Sequence, residues 1–592
     1  MKVLLLHPQD VPWSGEWADS RWDLIVDLAF AGSNVYPEWS ERTGTRVISL
    51  HQFAGQTESY RWVNQALEAG RDRFLDRMGL DWWEILACWS YHELQALYLL
   101  RQLQRELGPG PVEFVATREH SYVGLLRVVS GSPVRCIGEP ASSSRSVVSR
   151  FSNAARNLRP AQILEIAFDK WDPSYRYRGK VARHRQARLQ EPVMLLPSAY
   201  SNVTRVQLAY AAQLPGRRFL LATTRRSGES GELPSNVASV SLSAYAQASR
   251  ETDLEAQELI EAWKVLQAEL SQIELLRHGF RAGVWDYFPR HLENALRLRD
   301  AWQLLMTSEP VTGVLCADDL NYYTRLPLIL AKLMGRNAIY CYHGALDGPL
   351  LFKKSYAEHY LVKGEMEKEY VLRVSEVEPA RIEIGAPAET GHAHICHGPA
   401  QWSAGQAGDL VLFSQPVEVS GGRADEIYRQ ILPRLAEVAH RTRRKIVVKL
   451  HPFESMRGRE RLLRAVLPVG QAVGIEVSSM PASEIMKRTW CGIGVDSSVA
   501  VECTLRGVPY FLCGWLDFNG FGYMQQFARY GAGILLETPG EIHSIPERLA
   551  QATESTQDAS RTRRLWRPAD DTRLDEIMFG SSREMSSTQC AC

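Results

Sequence analysis

Short apolar runs, each closed by turn residues and followed by a stretch of helical pattern, recur along nearly the whole 592-residue chain. Such runs are too brief for helices and too continuous for half-exposed strands. They read as buried strands of parallel sheets joined by crossover helices. In the first third, 3–7, 46–50, 113–117 and 134–137 qualify, and helical pattern fills 61–78 and 82–107. A second series begins at Val193-Met194-Leu195-Leu196 and continues through 218–223, 313–317, 338–342, 360–362 and 382–384. Charged helical segments at 243–276 and 285–308 interrupt it, as a packed hairpin or an arm. The third series runs 410–413, 446–450, 474–477, 492–495, 510–512 and 533–536. The expected organisation is an N-terminal α/β region over 1–190, an α/β lobe with helical insertions over 191–390 and a Gly-, Ala-, His- and Pro-rich linker over 391–408. A doubly wound domain over 409–575 and a disordered tail over 576–592 complete it.

Single cores stop growing near about 250–300 residues, so a chain this long divides into several domains. With 45% hydrophobic and 23% charged residues, those domains have apolar cores of ordinary globular kind. Lys plus Arg (68) equals Asp plus Glu (68), which argues against bulk attraction to nucleic acid or to an anionic membrane. Ten dispersed cysteines, several inside apolar runs such as those around Cys316 and Cys513, read as buried free thiols in a reducing compartment. The apolar run near Met1 is only four residues, too short for a signal peptide, and no stretch approaches the ~20 residues of a membrane span. A cytoplasmic protein is expected, at most peripheral at the inner face of the membrane. His392-x-His394-x-Cys396-His397 offers metal-type ligands at close spacing but lacks a distant second pair, so no metal is expected there.

Parallel sheets bind ligands beyond the carboxyl ends of their strands, so candidates are residues just past a strand. The run Ile446-Val447-Val448-Lys449-Leu450 ends in His451-Pro452. Pro452 stops the strand and keeps His451 extended, where an imidazole can donate to a phosphate oxygen or exchange a proton near neutral pH. Further on, Cys491-Gly492-Ile493-Gly494-Val495 ends in Asp496-Ser497-Ser498 before a helical pattern. Small hydroxyl residues there either cap the helix or hold an anion. Glu502, one turn later, shares a face with Ser498 and could take ribose hydroxyls. Taken singly, each motif reads as well as a strand-end or helix cap.

Together and in order, Leu450-His451-Pro452 and Asp496-Ser497-Ser498-x-x-x-Glu502-x-x-x-x-Gly507-x-Pro509 resemble the donor half of GT-B glycosyltransferases. The likeness is to the group that builds bacterial surface and capsule polysaccharides, which includes Kdo transferases, polysialyltransferases and CDP-glycerol glycerophosphotransferases. Upstream, Tyr342-His343-Gly344, Lys363-Gly364-Glu365 and Ile384-Gly385-Ala386-Pro387 match the same group's pattern, extending the resemblance over about 311–509. It implies two Rossmann-type lobes facing a cleft, with the N-terminal lobe enlarged by helical insertions. It implies donor phosphates at His451, Pro452, Asp496, Ser497 and Ser498, and a ribose at Glu502. No cofactor or catalytic metal is implied beyond the nucleotide-sugar itself, and the acceptor is a saccharide or glycolipid.

His343 is a candidate for catalysis or a phosphate contact, with Gly344 letting backbone approach a ligand. Asp318-Asp319, after the run 313–317, could supply a general base, since adjacent like charges raise one pKa; they could equally cap the helix that follows. Other strand-end residues are His7, Asp10, Glu119, His120, Ser198, Ser201 and Asn202; Trp13, Trp17 and Trp22 suit sugar stacking or core packing. The region 1–190 is a candidate acceptor-side module. A CDP-glycerol glycerophosphotransferase and a non-catalytic GT-B-like binding protein are the competing readings.

Overall fold

The computed structural model describes residues 1–53, 56–138, 171–172, 175, 179, 183–344, 353–388, 408–418, 421–451, 454–467, 474–495, 497–517, 522–554 and 563–580. They form an α/β protein with three parallel sheets. The first sheet contains β1 (Lys2–Leu6), β2 (Leu24–Asp27), β3 (Val47–Ser49), β4 (Glu113–Ala116) and β5 (Val134–Cys136), in the order β3-β2-β1-β4-β5. The second contains β6 (Val193–Ser198), β7 (Arg218–Thr223), β8 (Val237–Ser241), β9 (Val311–Cys316), β10 (Asn337–Cys341), β11 (His359–Val362) and β12 (Ile382–Ile384), in the order β12-β11-β10-β9-β6-β7-β8. The third contains β13 (Asp409–Phe413), β14 (Ile446–Lys449), β15 (Ile475–Ser478), β16 (Thr489–Gly494), β17 (Tyr510–Cys513) and β18 (Ile534–Leu536), in the order β15-β14-β13-β16-β17-β18.

Counted from its own first strand, each sheet is wound 3-2-1-4-5 before any further strands are added. This is Rossmann-like winding, and its direction reverses between strands 1 and 4. The reversals fall at β1/β4, β6/β9 and β13/β16, the positions at which doubly wound sheets take their ligands.

The α/β fold of Rossmann-type parallel sheets is the one expected, with one sheet in each of the three regions that carry a strand series. The chain folds into two compact units, each assembled from separated segments. Unit 1 comprises 1–62, 95–141 and 395–566 and holds the first and third sheets. Unit 2 comprises 63–94, 142–394 and 567–592 and holds the second. The region 1–190 is therefore not one module: 63–94 belongs with unit 2, because its aromatic side chains are buried there. Trp83 packs on Trp263 and Trp285, with ring centroids 5.9 and 5.6 Å apart.

In unit 1, Leu4, Leu6, Ile25 and Val115 form the first sheet's core with Trp17 and Trp39; Trp13 and Trp22 pack against it. These tryptophans serve the core rather than an open stacking surface. The third sheet buries Leu410, Leu412, Val448 and Ile493 under the helix Ala424–Thr442. In β16, a Cβ at Gly492 would stand 2.7 Å from the Tyr510 ring, so glycine there lets that ring lie across the strand.

In unit 2, the helices Arg250–Leu270 and Phe288–Ser308 form a packed hairpin, with Trp263 and Phe288 stacked at 4.0 Å. Arg299, at 0% exposure, is neutralised there by Asp76 at 2.6 Å and Glu255 at 2.7 Å. The expected tail 576–592 is corrected in part. Residues 576–579 end the helix Asp571–Phe579, whose Leu574, Ile577 and Met578 enter the second sheet's core. Arg217 clasps Asp575 at 2.5 and 2.6 Å. This helix also moves the end of the expected 409–575 domain, since 567 onward belongs to unit 2. The tail 581–592, most of the linker 391–408 and the His392–His397 cluster lie outside the described residues. Among the described residues no helix is long and apolar enough to cross a membrane. The seven described cysteines are free thiols, six of them buried.

Candidate functional site

Two sheet edges gather the predicted residues. In the third sheet, Phe413 of β13 is level with Lys449 of β14 on one side and Gly494 of β16 on the other. The chain continues past these strands to Ser414, His451 and Ser497. His451 and Ser497 thus leave the sheet on opposite sides of β13, at its winding reversal. Pro452 and Asp496 lie outside the described residues.

His451 is half-buried, and burial lowers its pKa; Glu454 opposes the shift and Lys449 reinforces it. The ring is therefore neutral at pH 7 and able to donate one N–H. Its backbone is anchored by Glu454, whose Oε2 accepts from the His451 amide at 2.7 Å while the Glu454 amide donates to the His451 carbonyl at 3.0 Å. The other oxygen, Oε1, accepts from the Ser414 hydroxyl and from Arg459 Nε, each at 2.6 Å. Arg459 also grips Glu418 at 2.9 and 3.0 Å. One buried carboxylate therefore ties the ends of β13 and β14 together. Sequence reading passed over Glu454, because a Glu just before the Ser455 helix cap looks like any solvated helix-end residue.

Ser497 is buried, and its hydroxyl accepts from the Val499 amide at 3.3 Å. Ser498 stands at the N-cap position of the helix Val499–Leu505, in helical conformation and with no side-chain cap bond. Of the two hydroxyls, that of Ser497 holds the turn, and that of Ser498 makes no cap bond to the helix. Glu502 lies one turn on, half-buried.

In the second sheet the gathered edge is β10-β9-β6. His343, two residues past β10, has Nδ1 2.6 Å from the Ala317 carbonyl oxygen beyond β9. A carbonyl only accepts, so Nδ1 carries a proton, and in the neutral tautomer the lone pair is on Nε2. Tyr200, just past β6, meets the His343 ring edge-on at 5.9 Å and donates its hydroxyl to Asp318. Asp318 is 1% exposed and also accepts from the Leu320 amide at 3.0 Å and from Asn321, the N-cap of the helix Tyr322–Leu333.

Asp319 pairs with Lys353 at 2.7 Å, and the nearby Lys353 and Arg325 outweigh burial to hold its carboxyl below the usual range. The expected pKa rise from adjacent carboxylates is overturned at Asp319, where two cations dominate. A carboxylate so held is a poor proton acceptor. At Gly344 an added Cβ would meet no atom within 4 Å, so packing by the described residues does not require glycine.

Of the remaining candidates, Asp10 is paired with Arg118 at 2.8 Å and Glu119 with Arg127 at 2.7 Å. Ser198 at the end of β6 bonds Thr204 of the helix Ser201–Gln213 at 2.7 Å, and Ser201 and Asn202 begin that helix. Tyr200 and Asn321 were missed, since neither residue type at a strand end distinguishes itself without the fold.

No protein-family model matches the chain, and no curated protein is similar to it. Among solved structures, a protein described as a UDP-N-acetylglucosamine 2-epimerase from Listeria monocytogenes is 11% identical, with a TM-score of 0.40 over 67% of this chain and 98% of that one. The wall teichoic acid polymerase TagF is 11% identical, with a TM-score of 0.38 over 73% and 96%. MurG from Acinetobacter baumannii is 12% identical, with a TM-score of 0.39 over 66% and 99%. Likeness of this degree assigns no function to the chain.

Proposed function

We propose that the chain is a metal-independent glycosyltransferase of the GT-B type, which moves a sugar from a nucleotide-activated donor, with CMP-sugars favoured, to a saccharide or glycolipid acceptor of a surface polysaccharide. The observation that carries this reading is the placement of His451 and Ser497-Ser498 on either side of β13, at the winding reversal of a 3-2-1-4-5-6 sheet. That crevice is where Rossmann-like sheets take nucleotide phosphates.

In the proposed reaction the bond from the sugar's anomeric carbon to the donor phosphate oxygen breaks, and the acceptor oxygen forms the new bond. Charge develops on the leaving phosphate. The neutral His451 N–H and the Ser498 hydroxyl are donors suited to that charge, fixed in advance by Glu454 and the Ser497 turn. Glu502 is assigned to the ribose hydroxyls. The acceptor proton goes to Nε2 of His343, whose tautomer is set by the Ala317 carbonyl. Asp318 and Asp319, first considered as bases, are assigned to holding the sheet edge.

The test is thermal unfolding of the full chain with CMP, CDP, UDP and GDP. Stabilisation by CMP above the others supports the reading. Stabilisation by CDP alone points to a glycerophosphotransferase, and none by any nucleotide to a non-catalytic protein.

A further inference from the structure

The winding reversal of the first sheet, at β1/β4, carries a cluster of three histidines that the donor and base assignments leave unused. His7 follows β1, His120 follows β4, and His51 lies in the 3-10 turn Leu50–Phe53 after β3. The rings of His7 and His120 meet edge to face at 5.5 Å; Tyr122 joins His120 at 4.9 Å and His51 at 6.5 Å. His51 abuts Gly421 of the loop after β13, where an added Cβ would stand 2.8 Å from the imidazole Cε1. All of these residues belong to unit 1.

Hydrogen bonding fixes which nitrogen of two rings bears the proton. His7 Nδ1 accepts from the Gln9 amide at 3.2 Å, and His120 Nδ1 accepts from the Tyr122 amide at 3.2 Å. In each neutral ring the proton is therefore on Nε2. Burial lowers the pKa of both, that of His120 to about 4, so both are neutral N–H donors at pH 7. Nε2 of His51 reaches neither solvent nor a hydrogen-bond partner among the described residues. Metal ligation is disfavoured, since it needs a lone pair on the nitrogens that carry the protons. The charged groups that act on His7 are already matched, Asp10 with Arg118 and Arg423 with Asp27, so the two ring N–H donors at this strand end suit a group that only accepts.

We propose that His7, His51 and His120 form a binding site for an oxyanion, a phosphate or a carboxylate, through the Nε2–H groups of His7 and His120. The site is independent of the donor assignment at His451 and Ser497.

A purely structural role is separable from binding, because Asn at either position can keep the Nδ1 function through its side-chain oxygen. The experiment titrates the full chain with inorganic phosphate and, separately, with acetate, by calorimetry. The variants are His7→Asn/His120→Asn and Ser497→Ala/Ser498→Ala, and thermal unfolding without ligand checks the fold of each. The expected result is that wild type and the serine variant bind one of the two anions alike, while the histidine variant melts as wild type does and binds at least about tenfold more weakly. Phosphate binding identifies a phosphate group as the occupant and acetate binding a carboxylate. Should the double variant not fold, His120→Asn alone is measured against the same expectation. The proposal is overturned if neither anion binds, if the histidine variant binds as wild type does, or if binding is lost only in the serine variant.

Discussion

Arg423 and Asp27, 396 residues apart in the chain and both with side chains at 0% exposure, form a two-pronged ion pair at 2.5 and 3.1 Å. The guanidinium also donates to the carbonyls of Pro8 at 2.8 Å, Asp10 at 2.5 Å and His7 at 3.2 Å. Asp27 further accepts from the Ala29 amide at 3.1 Å and the Tyr36 hydroxyl at 3.3 Å. Arg423 thereby plugs the carboxyl edge of the first sheet from the helix start that follows β13. Removing one member leaves a buried, unpaired charge. Arg423→Met is expected to cost unit 1 about 3–5 kcal/mol, read as a lowered denaturant midpoint. A loss under about 1 kcal/mol would place the pair in the class of exposed ion pairs.

Glu454 holds the His451 backbone and the Ser414 hydroxyl with a single carboxylate. Glu454→Gln keeps the shape but replaces one acceptor oxygen with an amide donor facing Arg459 and Ser414. Nucleotide affinity is expected to fall about tenfold, in line with the cost of leaving a charged partner unmatched. Equal affinities in variant and wild type would remove Glu454 from the positioning of His451.

His343 and Asp319 are expected to respond differently. His343→Gln removes the Nε2 lone pair and should lower kcat about 10²–10⁴-fold, with the nucleotide Kd unchanged. Asp319→Asn breaks the Lys353 pair and should lower the melting temperature while leaving a smaller effect on kcat. The reverse ranking, with Asp319→Asn the more damaging to kcat, would return the base to Asp319.

Stability should also record the buried imidazoles. Burial holds His51 and His120 at about 4, with His120 adding to the shift of His51 and His7 to that of His120. In the unfolded chain a His titrates near 6.5. Between those values the unfolded state binds more protons, so the stabilisation present above pH 6.5 is lost as pH falls towards 4. The melting temperature of the wild type is expected to fall more steeply over that window than that of His120→Asn. Parallel curves would mean that His120 already titrates normally in the folded chain.

Much of this architecture is legible in the order of apolar runs. β6, β7 and β9–β12 were expected close to where they lie, and so were all the strands of the third sheet; the central ones, covered on both faces, read as continuous runs of Val, Ile and Leu. β2 and β8 escaped. β2 is four residues set between Trp22-Asp23 and Leu28-Ala29-Phe30, and no helical pattern follows at once; β8 is an edge strand with the mixed run Val237-Ala238-Ser239-Val240-Ser241. The strand-end placement of His451, Ser497, Asp318 and His343 was legible because each follows an apolar run closely. Glu454, Tyr200 and Arg423 were not, since their roles depend on partners that only the fold brings near. The assignment of 63–94 and 571–579 to unit 2 was hidden for the same reason: a helix's partner is not written in its own periodicity.

The central claim, that the crevice beside β13 holds a nucleotide phosphate, is tested most directly by calorimetric titration of CMP into the full chain and into Ser497→Ala/Ser498→Ala. The wild type is expected to bind measurably and the variant at least about tenfold more weakly, with unchanged melting in the absence of nucleotide. Equal binding by the two proteins would contradict it.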